Sequence, residues 1–240
     1  MKIGLQLYSI KEISENEGLA AALKTASEYG YDSIEFAGFF GLSADDILKE
    51  LDTYSLEVAG IHQGISALRE DTDLVIKTAK ELGAYSLCVP WYTCETAEGW
   101  IELGKELNEY GKKFRDAGIL FGYHNHAHEF VDICGVKPID LIFENCDKEN
   151  VFFQMDTYHV VNGGCSPVEY AKKYCDRIPV IHVKDNLDGK DCAVGTGCVD
   201  FPSVFREAGK ICSFVVENEN FGNNEKELID SAAYLKSIIK

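Results

Sequence analysis

The chain has 240 residues, of which 46% are hydrophobic and 26% charged, as in a globular protein with a substantial core. This balance excludes collagen, an intrinsically disordered chain and a small disulfide-framed protein. The 40 acidic residues outnumber the 23 basic ones, which gives a formal net charge of −17. A field of this sign repels polyanions, so we expect no nucleic-acid partner. No apolar stretch approaches the roughly 20 residues that cross a bilayer, so we expect no membrane partner either.

The start of the chain and its cysteines both predict a cytoplasmic protein. The N-terminal sequence MKIGLQLYSI lacks the basic, apolar and cleavage regions of a signal peptide. The nine cysteines are odd in number and include no CxxC motif, so we expect reduced thiols. Several of them lie in apolar runs, where cysteine behaves as a small hydrophobic residue. This placement argues against a thiolate metal site or a cysteine nucleophile.

Short apolar or β-branched runs alternate with segments of helical period along the chain. In the first half, the pattern predicts strands at 2–8, 33–37, 57–62 and 85–91. The predicted helices lie at 19–29, from 43 onward, at 73–82 and at 96–117. Ser43 is suited to cap the second of these helices. Gly30, Gly83 and Gly118 stand just past helix ends, where a left-handed residue commonly closes a helix.

The second half continues the same alternation. Strands are predicted at 119–126, 151–156, 178–185 and 211–217, and helices at 139–145, 167–175, 201–208 and 225–239. Alternating strands and helices indicate a parallel sheet with right-handed crossovers. Eight such units in 240 residues predict an α/β fold, a single-domain (β/α)8 TIM barrel over residues 1–240. A doubly wound open sheet would favour a glycine-rich turn after the first strand, and the chain has none there.

Polar side chains gather near the carboxyl ends of the last four predicted strands, the rim where barrel enzymes build their sites. In chain order they are His124, His126, Glu129, Asp156, His159, His182, Lys184 and Glu217. Any one of them could be structural or solvated, but barrel strands should be nearly all apolar, so the joint pattern favours a site. Carboxylates and imidazoles that converge without a cation would repel or stay unpaired. Oxygen and imidazole ligands suit Mn²⁺, Mg²⁺, Co²⁺ or Zn²⁺.

Several short motifs occur in a fixed order along the chain. They are IGLQLYS at 3–9, GYDSIE at 30–35, GIH at 60–62, HNHAHEF at 124–130, DTYH at 156–159, HVKD at 182–185, GTGCVDF at 195–201 and VE at 216–217. In these motifs the chain resembles the sugar phosphate isomerase/epimerase family of xylose isomerase-like TIM barrels over essentially its whole length. Their order and spacing are specific for the superfamily, which also includes inosose dehydratase and endonuclease IV, but not for one reaction.

The resemblance implies a divalent metal ion, Mn²⁺ first, held by strands five to eight. In the epimerase branch the four ligands are Glu, Asp, His and Glu. This chain matches the last three positions with Asp156, His182 and Glu217. Strand five departs from the pattern, because Tyr123 stands where an epimerase has its Glu. The expected fourth ligand is Glu129, six residues further on, with His126 as the alternative.

The chemistry that the resemblance implies is proton transfer next to the carbonyl of a ketose or keto-sugar. A metal stabilises the enediolate that forms when the α-proton leaves. Glu217 is the first candidate for the acid/base, with Glu129 or His126 opposite it. The resemblance also implies substrate contacts from His62, His124, His159 and Lys184. Glu35 is a second-tier contact, and the backbone of Gly195 and Gly197 could receive an anion, although a plain turn is favoured.

The expected function is therefore a metal-dependent sugar isomerase or epimerase acting on a small-molecule carbohydrate. A lyase or dehydratase that expels a substituent from the same enolate is the runner-up, since the changed strand five suits it. A non-catalytic sugar-binding barrel or accessory subunit is the other alternative, and it leaves open a homo-oligomer or a partner subunit. An endonuclease would need a basic groove, which the net charge of −17 disfavours.

Overall fold

The computed structural model describes residues 2–38 and 42–239. Its strands, in chain order, are β1 (Lys2–Gln6), β2 (Ser33–Phe36), β3 (Glu57–His62), β4 (Ser86–Val89), β5 (Leu120–His124), β6 (Phe152–Asp156), β7 (Val180–Val183), β8 (Asp185–Leu187), β9 (Lys190–Cys192) and β10 (Ser213–Val216). All except β8 and β9 are parallel and close into a barrel in the order β1-β10-β7-β6-β5-β4-β3-β2. The predicted eight-stranded barrel is confirmed.

The helices pack around this barrel. They are α1 (Lys11–Glu17), α2 (Leu19–Glu28), α3 (Ala44–Tyr54), α4 (Ile65–Glu81), α5 (Ala97–Asp116), α6 (Pro138–Glu144), α7 (Thr157–Asn162), α8 (Pro167–Lys173), α9 (Phe201–Glu207) and α10 (Glu225–Ile238). The eight predicted helices are all present. The alternation did not predict α1, α7 or the antiparallel hairpin of β8 and β9, because these short polar segments lack a clear period. Two 3-10 turns lie at Leu7–Ile10 and His128–Phe130.

Local signals in the sequence set the helix boundaries. The Ser43 side chain caps α3 by accepting the backbone N–H of Asp46, as predicted. Gly30 and Gly118 follow α2 and α5 with φ values of +90° and +81°, a region that L-residues with a Cβ rarely adopt. The helix α4 has a first part that the predicted range 73–82 does not include, and a kink at Asp71 separates this part from the rest. The Asp71 carboxylate accepts the N–H of Leu74, where the helix starts again after the kink.

The barrel interior changes from apolar to polar along the strands. Its lower layer is a buried cluster of Ala59, Cys88, Phe152, Val180 and Val215. Because strand side chains alternate between faces, the inward positions that follow on the same face lie two residues further on. On β6, on β7 and directly after β10 these positions are polar: Gln154, His182 and Glu217. The carboxyl ends of the strands therefore enclose a polar chamber above an apolar floor.

All nine cysteines are free thiols. None of the helices within residues 2–38 and 42–239 combines the length and apolar composition that crossing a bilayer requires.

The helix α5 packs closely against the chain before β6. At Gly111, a Cβ atom would overlap the carbonyl oxygen of Asn150. We expect Gly111→Ala to lower the free energy of unfolding by about 1–3 kcal/mol, because overpacking against main chain outweighs the gain in helix propensity. Urea unfolding followed by circular dichroism measures the change. Gly64→Ala is the control, since its Cβ would meet nothing closer than Ser66 Oγ at 3.7 Å; equal midpoints for the two variants would contradict the predicted overlap.

Candidate active site

Four buried side chains come together at the carboxyl-terminal mouth of the barrel. They are His124, Asp156, His182 and Glu217, and we call them the mouth cluster. Each offers one potential ligand atom, and these atoms all lie within 4.8 Å of one another. His124 and Asp156 end strands β5 and β6, and Glu217 directly follows β10. The barrel thus assembles residues that are far apart in sequence.

Two atoms of the mouth cluster are buried without a partner. Asp156 Oδ2 and His124 Nδ1 have no hydrogen bond to any residue in 2–38 or 42–239. The other oxygen of Asp156 accepts the N–H of His159 at 2.9 Å and so caps α7. Burial lowers the pKa of His124 well below its usual value, which leaves a neutral imidazole, the form that binds metals. These two unpaired buried atoms and the chemistry of the donor set therefore fit a divalent cation.

His182 lies between two carboxylates. Its Nε2 is 2.6 Å from Glu35 Oε2, and its Nδ1 is 2.9 Å from Glu217 Oε2 and 4.0 Å from Asp156 Oδ2. Burial alone would lower the pKa of His182, but Glu35 and Glu217 outweigh it and raise the pKa to about 10. In the metal-free protein this imidazole is therefore positively charged and balances the buried acids.

The two carboxylates of this arrangement are held in their charged form. Burial would raise the pKa of Glu35, but the imidazoles of His62 and His182 overcome burial and lower it. For Glu217, burial is likewise outweighed, here by Lys184 and His182, and its pKa falls well below the usual value. Burial raises the pKa of Asp156, and nearby Glu217 adds to that effect. Of the two carboxylates in the mouth cluster, Glu217 is thus held in its charged form, whereas the charged form of Asp156 is disfavoured.

Glu35 joins a set of buried amides and imidazoles below the mouth cluster. Gln6 and Gln154 donate to it at 2.8 and 2.7 Å. His62 Nε2 lies 3.0 Å from Glu35 Oε2 and 2.7 Å from Gln154 Oε1. The ring of His62 also packs 4.8 Å from that of His124. Sequence reasoning missed Gln6 and Gln154, although an amide inside an apolar strand is a signal of the same kind as the histidines that it found.

The structure does not bring Glu129 to the mouth cluster. Glu129 is fully buried, and its Oε1 accepts the hydroxyl of Tyr123 at 2.7 Å. Its Oε2 accepts the backbone N–H of His126 at 2.8 Å. The reason is the path of the chain, which leaves β5 at His124 and turns into a 3-10 helix that carries Glu129 back toward Tyr123. His124 occupies the position in the cluster that the sequence assigned to Glu129 or His126.

His126 and His159 lie beside the cluster rather than in it. Their ring centroids are 4.5 Å apart, and the rings of His124 and His126 are 5.0 Å apart. His126 Nδ1 and His159 Nε2 are buried and without hydrogen-bond partners among the described residues. Burial lowers the pKa of both imidazoles, that of His126 to about 3. Both are therefore neutral groups with an unused nitrogen next to the mouth cluster.

Lys184 is a buried cation at the same mouth. Its side chain is 1% exposed, and Nζ donates to Glu219 Oε1 at 2.9 Å and lies 3.7 Å from Asp191 Oδ2. Burial opposes the charged form, but Glu217 and Asp156 outweigh burial and raise the pKa of Lys184. The hairpin of β8 and β9 supplies Asp191. Lys184 therefore depends on this hairpin for one of its two acidic neighbours.

Asp185 holds the hairpin and the following loop in place. Its carboxylate accepts four backbone N–H groups, those of Asn186, Gly195, Gly197 and Val199. Gly197 must lack a side chain, because a Cβ there would overlap Asp185 Oδ1. The N–H groups of Gly195 and Gly197 thus donate to an internal carboxylate, in keeping with the favoured expectation of a plain turn over an anion site.

Comparison with known proteins places this geometry in a family. The family model described as xylose isomerase-like TIM barrel matches residues 23–238. Inosose dehydratase from Geobacillus kaustophilus is 25% identical over 231 residues, covering 76% of this chain and 73% of that protein. Inosose dehydratase from Clostridium beijerinckii is 28% identical over 128 residues, which is 45% of this chain and 42% of its own length.

Solved structures agree with this placement. A sugar phosphate isomerase/epimerase from Parabacteroides distasonis superimposes with a TM-score of 0.85 and 26% identity, covering 98% of both chains. The IOLI protein with a bound zinc atom superimposes with a TM-score of 0.75 and 17% identity, covering 98% of this chain and 96% of that one; this likeness shows the fold alone. Because the family model matches most of this chain, the chain belongs to the xylose isomerase-like TIM barrel family.

Proposed function

We propose that the protein is a metal-dependent carbohydrate enzyme that removes a proton from the carbon next to a ketone. The observation that carries this proposal is the mouth cluster, in which Asp156 Oδ2 and His124 Nδ1 are buried without partners. The inosose dehydratase and sugar phosphate isomerase/epimerase relatives support a carbohydrate as the substrate. A ketone is the group at which both kinds of reaction would begin.

The residues that would hold the metal are His124, Asp156, His182 and Glu217. Two imidazoles and two carboxylates without thiolate suit Mn²⁺, the ion expected from the sequence, and equally Zn²⁺ or Co²⁺. A protein of the same fold, the IOLI protein, was solved with a bound zinc atom, which supports a divalent ion as the cofactor. When bound, such an ion acts as a Lewis acid that stabilises negative charge on the carbonyl oxygen.

The protein's own groups would move the protons. Glu217 is ionised at neutral pH and accepts the α-proton on its carboxylate. His126 Nδ1 and His159 Nε2 are neutral nitrogens beside the cluster, available to exchange a proton with a substrate oxygen. Lys184 balances the negative charge of this region. Because its side chain is only 1% exposed, solvent screens this interaction little.

The fate of the enolate separates two candidate reactions. We propose elimination of a substituent on the next carbon, a lyase or dehydratase reaction, which the inosose dehydratase relatives support. The position of Glu129 also favours elimination, because epimerisation was expected to use it as the second carboxylate and it is bonded to Tyr123 and His126 instead. Isomerisation or epimerisation is the second candidate, supported by the Parabacteroides distasonis structure.

One experiment distinguishes these outcomes. The protein supplied with Mn²⁺ or Zn²⁺ is incubated in D₂O with a panel of ketoses, inososes and keto-glycosides, and NMR follows each compound. Loss of a substituent with formation of an enone supports elimination, whereas deuterium at the α-carbon of an epimer or isomer supports the second candidate. Metal binding without exchange in any compound would contradict both and favour a sugar-binding or accessory barrel.

The metal ligands give a testable prediction with a matched pair of variants. We expect His124→Ala to lose stoichiometric Zn²⁺ or Mn²⁺, because it removes one of four ligands. Glu129→Gln should retain the metal, since both of its oxygens contact Tyr123 and His126 rather than the cluster. Elemental analysis after dialysis measures the content. The reverse result, loss in Glu129→Gln alone, would restore Glu129 as the ligand.

The role of Glu217 gives a second prediction. We expect Glu217→Gln to slow α-proton exchange by about 10²–10⁴-fold, because an amide cannot accept the proton. An amide oxygen still offers the metal a ligand, so metal content should fall much less than exchange. Deuterium wash-in by NMR, compared with elemental analysis of the same sample, tests this. Exchange at the wild-type rate would remove Glu217 from the role of base.

A further inference from the structure

Glu35 reaches His182 from across the barrel. It lies on β2, which pairs with β1 and β3, whereas His182 lies on β7 between β6 and β10. The two residues are 147 positions apart in sequence, and Glu35 Oε2 is 2.6 Å from His182 Nε2. Both side chains are completely buried. Such a short contact between strands that are not neighbours in the barrel fixes how the imidazole ring is turned.

Donors surround both oxygens of Glu35. Oε2 faces His182 Nε2 and the amide nitrogen of Gln6, and Oε1 faces the amide nitrogen of Gln154 at 2.7 Å. Because an ionised carboxylate only accepts, the contact with His182 requires the hydrogen on Nε2. His182 Nδ1 is then the atom turned toward Glu217 and Asp156.

We propose that Glu35 is a positioning residue that holds His182 with Nε2–H toward itself and Nδ1 toward the metal site. This inference rests on the proposed metal site and extends it to a residue outside the four ligands. A carboxylate that accepts the second N–H of a ligand imidazole fixes the ring and increases its basicity. Glu35 thereby acts on the metal without touching it.

The surrounding amides make this role specific to a carboxylate. In Glu35→Gln, one side of the new amide would present an NH₂ group to a neighbouring donor. Gln154 could relieve that clash only by turning its own amide, and its Oε1 lies 2.7 Å from His62 Nε2. Turning it would break that contact and leave a buried group unpaired. Gln is therefore close in shape but cannot satisfy the same set of donors.

Zn²⁺ affinity tests the proposal. We expect Glu35→Gln to weaken Zn²⁺ binding about 10–100-fold, measured by competition with a chromophoric chelator. Glu129→Gln is the matched control, because it replaces an equally buried carboxylate that does not contact His182, and its affinity should equal that of the wild type. Equal affinity of Glu35→Gln and wild type, or an equal loss in both variants, would overturn the proposal.

A spectroscopic readout separates positioning from a general loss of packing. Long-range ¹H–¹⁵N NMR of the imidazoles should show a protected, downfield Nε2–H signal for His182, assigned by its absence in His182→Gln. We expect this signal to disappear in Glu35→Gln and persist in Glu129→Gln, and its persistence in Glu35→Gln would overturn the proposal. If Glu35→Gln does not fold, Gln154→Met keeps the carboxylate but removes one donor, and should weaken Zn²⁺ binding by a smaller factor; unchanged binding would contradict the proposal.

The same measurements distinguish this inference from the proposed function. Wild-type protein that binds neither Zn²⁺ nor Mn²⁺ would refute the metal site, whereas the His182 signal in the metal-free protein still reports whether Glu35 holds the ring. Wild-type protein that binds Zn²⁺ tightly, together with an unaffected Glu35→Gln, would leave the function in place and refute the role of Glu35.

Discussion

The line of contacts from Glu35 through His182 to Glu217 is the constraint on which the mouth of the barrel depends. Three ionisable groups are buried there, and isolated charges in such a place would cost several kcal/mol each. Their mutual contacts at 2.6 and 2.9 Å offset that cost. The same contacts orient the imidazole and leave a set of nitrogen and oxygen atoms facing one point. Stability and the proposed metal binding therefore depend on the same side chains.

The rest of the fold serves to keep this line in place. The apolar floor of the barrel excludes water beneath it, and the alternation along each strand places polar groups only at the upper level. The hairpin of β8 and β9, anchored by Asp185, brings Asp191 to the buried ammonium of Lys184. The negative charge of the buried carboxylates is thus balanced by His182 within the mouth cluster and by Lys184 beside it.

The relatives of this chain include inosose dehydratases and a sugar phosphate isomerase/epimerase, so the architecture by itself does not select a product. What differs between outcomes is where protons are delivered and what can leave. In this chain a carboxylate expected at the site is instead bonded to Tyr123, and neutral imidazoles stand near the cluster. The imidazoles that stand on this side of the mouth, where a carboxylate was expected, are the feature on which the proposed preference for elimination rests.

The sequence by itself determined the barrel and most of its polar rim, because strand alternation and helical period are local and recur eight times. It also indicated that Asp156, His182 and Glu217 would meet, since parallel strands bring their carboxyl ends to one edge. Only the tertiary structure decided the places of His124 and Glu129, which depend on the turn after β5. The same holds for the contacts of Glu35 with His182 and Gln154, because contacts between distant strands leave no periodic signal in the chain.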